Sequence, residues 1–151
     1  MKSTIKTIFI LFFFIGSLHA KTIFVEANGS GDGSSWQSAT NDLATALNNA
    51  VSGDEVWVSN GIYKPSLSNR NASFRLKSGV ALYGGFTGVE NSTIERKKDN
   101  KTILCGEIGE VGIHDNSYTV LYLAAASENT IIDGFIIQNG NASGAGKETS
   151  L

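Results

Sequence analysis

The chain has little that would cross-link or stiffen it. Its 151 residues include one cysteine, Cys105, and one proline, Pro65. A single thiol excludes an intrachain disulfide, so stability must come from burial and stacking. Cys105 lies in the apolar run Thr102-Ile103-Leu104-Cys105-Gly106 and reads as a small buried hydrophobe. Histidine is as scarce. His114 is the only one after residue 20, which excludes a multi-histidine metal site. No sign of charge dominates: 12 Lys and Arg stand against 14 Asp and Glu, a formal net charge of -2. There is no basic stripe, so nucleic acid and anionic membrane are not expected partners.

Glycine, in contrast, is abundant at 17 residues, and asparagine is frequent. That balance suits a fold with many tight turns rather than a helical bundle. Residues 1–20 read as a signal peptide. Lys2 and Lys6 precede the apolar run Ile8 to Ile15, and Ser17-Leu18-His19-Ala20 leads to a cut after Ala20. The apolar run falls short of the roughly 20 residues a spanning helix needs, so no membrane span is expected after cleavage. No cysteine sits at the junction, which argues against a lipoprotein. The expected location is extracellular or at the cell surface, associated with the outer membrane.

The mature chain opens with a short strand, Thr22-Ile23-Phe24-Val25, and a glycine-rich loop from Asn28 to Ser35. One amphipathic helix follows. Thr40 or Asn41 is placed to cap it. Leu43, Ala46, Leu47, Ala50 and Val51 make its apolar stripe, and Gly53 stands where a left-handed C-terminal residue is wanted. From Asp54 the period changes. Short apolar runs recur at Glu55–Val58, Ile62-Tyr63, Phe74–Leu76, Val80–Tyr83, Ile103–Cys105, Val120–Leu123, Ile131-Ile132 and Phe135–Ile137. Asn60-Gly61 is a hairpin signal, but Ile62-Tyr63 is too short to answer the preceding strand before Pro65 stops it. Val58 to Leu82, and Leu82 to Ile103, are each a little over twenty residues apart. Such intervals suit the coils of a parallel β-solenoid, with Gly88 to Lys101 as a loop thrown out between strands.

Ser34-Ser35-Trp36, Ala39, Asp42-Leu43, Ala46-Leu47, Gly53-Asp54, Val56-Trp57-Val58 and Tyr63-Lys64-Pro65 fall in a specific spacing. So do Gly79-Val80, Leu82-Tyr83-Gly84-Gly85-Phe86, Glu90, Arg96, Asp133-Gly134-Phe135-Ile136-Ile137 and Gly140-Asn141-Ala142. Together they resemble the N-terminal part of secreted bacterial right-handed parallel β-helix proteins, a group in the pectin-lyase-like superfamily that includes polymorphic-outer-membrane-protein-like surface proteins. The resemblance covers nearly all of residues 22–142. It implies an all-β, right-handed parallel β-helix (β-solenoid) with a short N-terminal capping helix, truncated at the C-terminus. The division it implies is a signal peptide over 1–20, a cap with helix over 21–53, and first coils over 54–151. Trp36 and Tyr83 then serve as cap or core aromatics, and Gly84-Gly85 permit a bend and a close backbone approach. The matching positions are structural, and the resemblance carries no catalytic residue across.

Candidate chemistry is sparse. Glycan hydrolysis needs paired acids, but Asp54, Glu55, Glu90, Glu95, Asp99, Glu107, Glu110, Asp115, Glu128, Asp133 and Glu148 mostly flank turns. Asp133, before Gly134, is expected to make a turn bond of its own. A Cys105–His114 dyad is the weaker reading beside a buried thiol and a loop histidine. Asp32 in Gly31-Asp32-Gly33 lacks the spaced oxygen ligands of a Ca²⁺ loop, so a structural Ca²⁺ is unsupported. Lys97-Lys98 reads as part of a solvated loop, with no basic cluster facing the acids. The five Asn-x-Ser/Thr sequons, at Asn28, Asn71, Asn91, Asn100 and Asn141, are expected by chance in so Asn- and Ser-rich a chain. No catalytic, cofactor-binding or metal residue is assigned. The expected role is that of an exported structural, adhesive or glycan-binding protein, with polysaccharide or cell-surface components as partners. The alternatives are a polysaccharide lyase or glycoside hydrolase, or an inert N-terminal fragment of one.

Overall fold

A computed structural model of the chain describes residues 20–143. The expected signal peptide lies outside these residues, except for Ala20. Nine strands and one α-helix make up the ordered elements: β1 (Thr22–Val25), α1 (Leu43–Asn49), β2 (Glu55–Ser59), β3 (Gly61–Tyr63), β4 (Phe74–Leu76), β5 (Ala81–Phe86), β6 (Thr102–Cys105), β7 (Leu121–Leu123), β8 (Ile131–Asp133) and β9 (Phe135–Gln138). Every strand pairing is parallel. Parallel partners need long connections, which is why β2 and β3 do not form a hairpin across Asn60-Gly61.

The strands are collected in three separate sheets, ordered β1-β2-β5-β8, β3-β6-β9 and β4-β7. This corrects the all-β right-handed parallel β-helix expected from the sequence. The architecture is a small α/β one, with short sheets of four, three and two strands, none of them closed, and one helix. The reason lies between β1 and β2. There the chain spends its length on a loop, a 3₁₀ turn at Trp36–Ser38 and α1, so β1 has no successors in the second and third sheets. Strand run and spacing are visible in a sequence; where a sheet stops is not.

Strands β1, β2 and β5 of the four-stranded sheet are covered on both faces, as parallel strands usually are, while β8 is exposed. On one face Ile23, Val56 and Leu82 stand in register and join Val25, Val58, Tyr63, Phe74, Leu76, Leu104 and the helix in the main core. On the other face Phe24, Trp57 and Tyr83 are in register. They pack with Trp36, Ala39 and Phe86 in a second, aromatic cluster. Trp57 stacks on Phe86 at 4.7 Å, and Phe24 meets Trp36 edge-on at 4.9 Å.

The α1 helix lays Leu43, Ala46 and Leu47 on the main core. Its N-cap is Asp42, one or two residues later than Thr40 or Asn41. The Asp42 carboxylate accepts from the Thr45 N–H at 2.8 Å. Thr40 is already committed, since its backbone bonds to Phe24 and Glu26 beside β1. The helix ends at Asn49 with Ala50 as C-cap, so Val51 leaves the apolar stripe and is exposed. Lys77 closes that end by donating to the Ala50 carbonyl at 3.0 Å and to the Asn48 carbonyl. Buried Asp54 ties the connection down, accepting from the N–H groups of Lys21 and Val51.

Candidate functional site

Strand β5 carries a bulge. Trp57 pairs with Tyr83 and Ser59 with Phe86, so two steps on β2 answer three on β5. The extra residue is taken up at Gly84-Gly85, where Gly85 has φ +91°. A Cβ on Gly84 would stand 2.6 Å from the carbonyl oxygen of Gly134, so the backbones approach closely there. The chain turns from the first sheet to the second at three stacked levels, β2 to β3, β5 to β6 and β8 to β9, and the close approach lies between the last two. Thr102 pins the β5 to β6 corner. Its hydroxyl accepts from the Gly85 N–H at 2.8 Å and reaches the Ser59 carbonyl at 3.1 Å.

A cleft of about 410 Å³ opens outside this corner. The bend of β5, the segment from Thr93 to Thr102 and the Asp133–Ile136 stretch line it. Asn100 anchors the loop by donating to the Gly85 carbonyl at 3.1 Å. Arg96, Lys97, Lys98 and Lys101 contribute four cations to the wall, and Asp133 is the only acid among the lining residues.

Arg96 is held rigidly. Its Nε donates to the Thr93 carbonyl at 2.8 Å and its Nη1 to the Gly84 carbonyl at 3.0 Å. Its guanidinium lies over the rings of Tyr83 and Phe86, 4.9 and 5.5 Å from their centroids. Nη2 donates to the Asp133 carboxylate at 2.7 Å. Arg96 is half-buried at 17% exposure, while Asp133 is open at 57%. Asp133 follows Tyr83 in the outward column of the first sheet, because β5 and β8 pair in register. Burial, with help from the nearby Glu55 carboxylate, pushes the Tyr83 phenol above its ordinary range despite the nearby Arg96.

Two expectations are corrected by this arrangement. Asp133 makes an ion pair with a residue 37 positions away rather than a local turn bond. Lys97 and Lys98, exposed as expected, belong to a basic cluster that faces an acid. Only Lys97-Lys98 stood out in the sequence, as a solvated pair; Arg96 and Lys101 join them in the cleft. The meeting of Arg96 with Asp133 needed the register of β5 on β8, which no local pattern states.

Several of the other acids hold local structure. Glu90 is buried, and its carboxylate accepts from the N–H groups of Thr87, Gly88 and Val89 and from the Thr87 hydroxyl. Burial by itself would raise its pKa, but these donors together hold it below the ordinary range. Glu55 accepts from the Trp57 indole at 2.6 Å, Glu95 from the Asn91 N–H and Asp115 from the Glu110 N–H. Asp32 accepts from the Ser34 N–H at 3.0 Å, and bonds from Ser34 lower its pKa. Cys105 is buried, as expected, and His114 is exposed. No hydrogen bond joins them among the described residues. Those residues also hold no cluster of three or more His, Cys, Asp or Glu placed to bind a metal.

A larger groove of about 780 Å³ runs between the start of α1 and β3, past Leu43, Ile62, Tyr63, Leu67 and Phe74. Its wall is mainly apolar and lacks the converging charges of the Arg96 cleft, which makes the smaller cleft the better candidate. No helix among the described residues is long and apolar enough to cross a membrane. No protein-family model, curated protein or solved structure matches the chain, so no family is assigned to it.

Proposed function

We propose that the chain is an exported module that binds a glycan or other cell-surface component in the Arg96 cleft without transforming it. One observation supports this reading above the rest. Hydrolysis of a glycosidic bond uses two carboxyl groups on opposite sides of the bond. The cleft offers one, Asp133, and that one is engaged by Arg96. What the wall supplies instead is binding chemistry: cations, the Thr93 hydroxyl and the Phe135 ring. Export is supported by the order of basic, apolar and small residues within 1–20.

The test is an affinity and turnover assay on folded protein against a panel of acidic and neutral polysaccharides. Retardation in polysaccharide-containing gels is expected, with no new reducing or unsaturated ends, with or without Ca²⁺. Turnover that disappears in Asp133→Asn would assign an enzyme instead. N-terminal sequencing of the protein from medium and envelope fractions checks export. A chain beginning near Lys21 is expected, and an intact Met1 in a soluble cytoplasmic protein contradicts it.

A further inference from the structure

We infer that the Asp133 carboxylate is an internal stand-in for a ligand's phosphate group, and that a doubly charged phosphate displaces it from Arg96. The inference rests on the binding role proposed for this cleft and names the group that is bound. Arg96 has spent Nε and Nη1 on backbone carbonyls and stacks on two rings, so its guanidinium cannot follow a partner about. It presents Nη2 to the cleft at a fixed place, where an oxyanion now sits. A fixed guanidinium is suited to phosphate or carboxylate. Asp133 is more than half exposed, so it leaves this position for water without rearranging the core.

Charge decides which anion takes its place. The lining carries four cations and one carboxylate, an excess of positive charge in a chain whose net charge is -2. A singly charged carboxylate on a ligand would only exchange one carboxylate for another. It would lose that exchange, because Asp133 is tethered and therefore present at high effective concentration. A phosphate monoester or inorganic phosphate brings a second charge and further acceptor oxygens. Lys97, Lys98 and Lys101 stand on the same wall to receive them. The phosphate can be free or borne on a saccharide; its chemistry at Arg96 is the same.

The experiment is calorimetric titration of the full chain with inorganic phosphate, glucose 6-phosphate and glucuronate. Saturable binding of both phosphates is expected, weakening as salt is raised. Glucuronate is expected to bind about tenfold more weakly or not measurably. Tighter binding of glucose 6-phosphate than of inorganic phosphate identifies a saccharide-borne group, and the reverse identifies the free ion. Asp133→Asn removes the competitor and is expected to tighten phosphate binding by about two- to fivefold, the scale of an exposed ion pair. The double variant Lys97→Ala/Lys98→Ala changes only exposed side chains and is expected to weaken it several-fold. It keeps the test decisive where Arg96→Gln disturbs the loop. No saturable phosphate binding, equal binding of glucuronate, or weaker phosphate binding in Asp133→Asn would each overturn the inference. Polysaccharide retention that persists without phosphate binding would leave the glycan reading standing and sink this one. Phosphate binding without any polysaccharide retention would do the opposite.

Discussion

Glu90 shows how one residue can hold a loop and a cluster at once. Its carboxylate gathers the N–H groups of Thr87, Gly88 and Val89, and its carbonyl oxygen accepts from the Trp36 indole at 2.8 Å. Replacing Glu90 by Gln puts an NH₂ group among donors. A loss of about 1–3 kcal/mol at neutral pH is expected, the usual cost of leaving buried hydrogen-bonding groups unpaired. The folded-state pKa of Glu90 is depressed. Its contribution is therefore present above the ordinary glutamate value, roughly 4.3, and is lost as pH falls through the lower folded value. Urea unfolding of the parent and Glu90→Gln should differ at roughly pH 7, and the gap should narrow as pH falls below the ordinary glutamate value. A gap that stays constant over that range would mean the carboxylate charge is not what holds the loop.

Single residues were only partly legible in the sequence. Burial of Cys105 and the left-handed conformation in the turn after β9, found at Asn139 with φ +60°, follow from residue type and neighbours. The role of Glu90 does not. An acid beside a glycine-containing turn reads as solvated, and only the fold shows that Trp36 lies beneath it.

At the scale of elements, α1 and the β5 corner carry most of the claims. Leu47 is fully buried at the middle of the helix's apolar face. Leu47→Ala is expected to cost about 2–5 kcal/mol. Leu47→Asp, which buries an unpaired charge, is expected to prevent cooperative folding. Asp42→Ala should cost about 1 kcal/mol through the lost cap. Thermal and urea melts measure all three. A Leu47→Asp chain that melts like the parent would show that the helix does not cover the core.

The corner makes a sharper demand. Gly134 has φ +83°, and a Cβ there would strike the Gly84 carbonyl. Gly134→Ala is expected to destabilise the chain by about 1–3 kcal/mol and to loosen the cleft, since the same corner sets the distance from Arg96 to Asp133. A melting temperature unchanged from the parent would contradict the close approach. This corner was legible. Gly84-Gly85 between apolar residues already called for a bend and a close backbone. Most strands were legible too, each starting or ending within a residue or three of its apolar run, but β3 was not, because Ile62-Tyr63 before Pro65 looks too short for a strand. The helix cap was misplaced because Thr40 looks like a cap locally, while its pairing with β1 is a long-range fact.

At the scale of the whole molecule, two buried columns end in exposed residues at β8 and β9 among the described residues. The column Ile23, Val56, Leu82 continues to Ile132, and the column Tyr63, Leu104 continues to Ile137. Leu82 and Leu104 are fully buried, whereas Ile132 and Ile137 are 41% and 51% exposed. Among the described residues β8 and β9 each have one edge without a strand partner, a template for further pairing. Purified chain is expected to self-associate as concentration rises. Ile132→Lys together with Ile137→Lys should suppress this in sedimentation velocity. Association unchanged by the pair would place the sticky surface elsewhere. The number of sheets and their free edges were the least legible features. Apolar runs give strands, but the helix that replaces strands beside β4 acts through packing that only the assembled chain displays.

The proposed binding role depends on the same long-range fact, the register that brings Asp133 to Arg96. An amide-resolved NMR titration of the labelled chain with glucose 6-phosphate tests it most directly. Shifts are expected at Gly84 and Gly85, across Arg96 to Thr102, and at Asp133 and Gly134. Their absence, or their appearance instead along Ile62, Tyr63 and Leu67 in the larger groove, would contradict the assignment of the Arg96 cleft as the binding site.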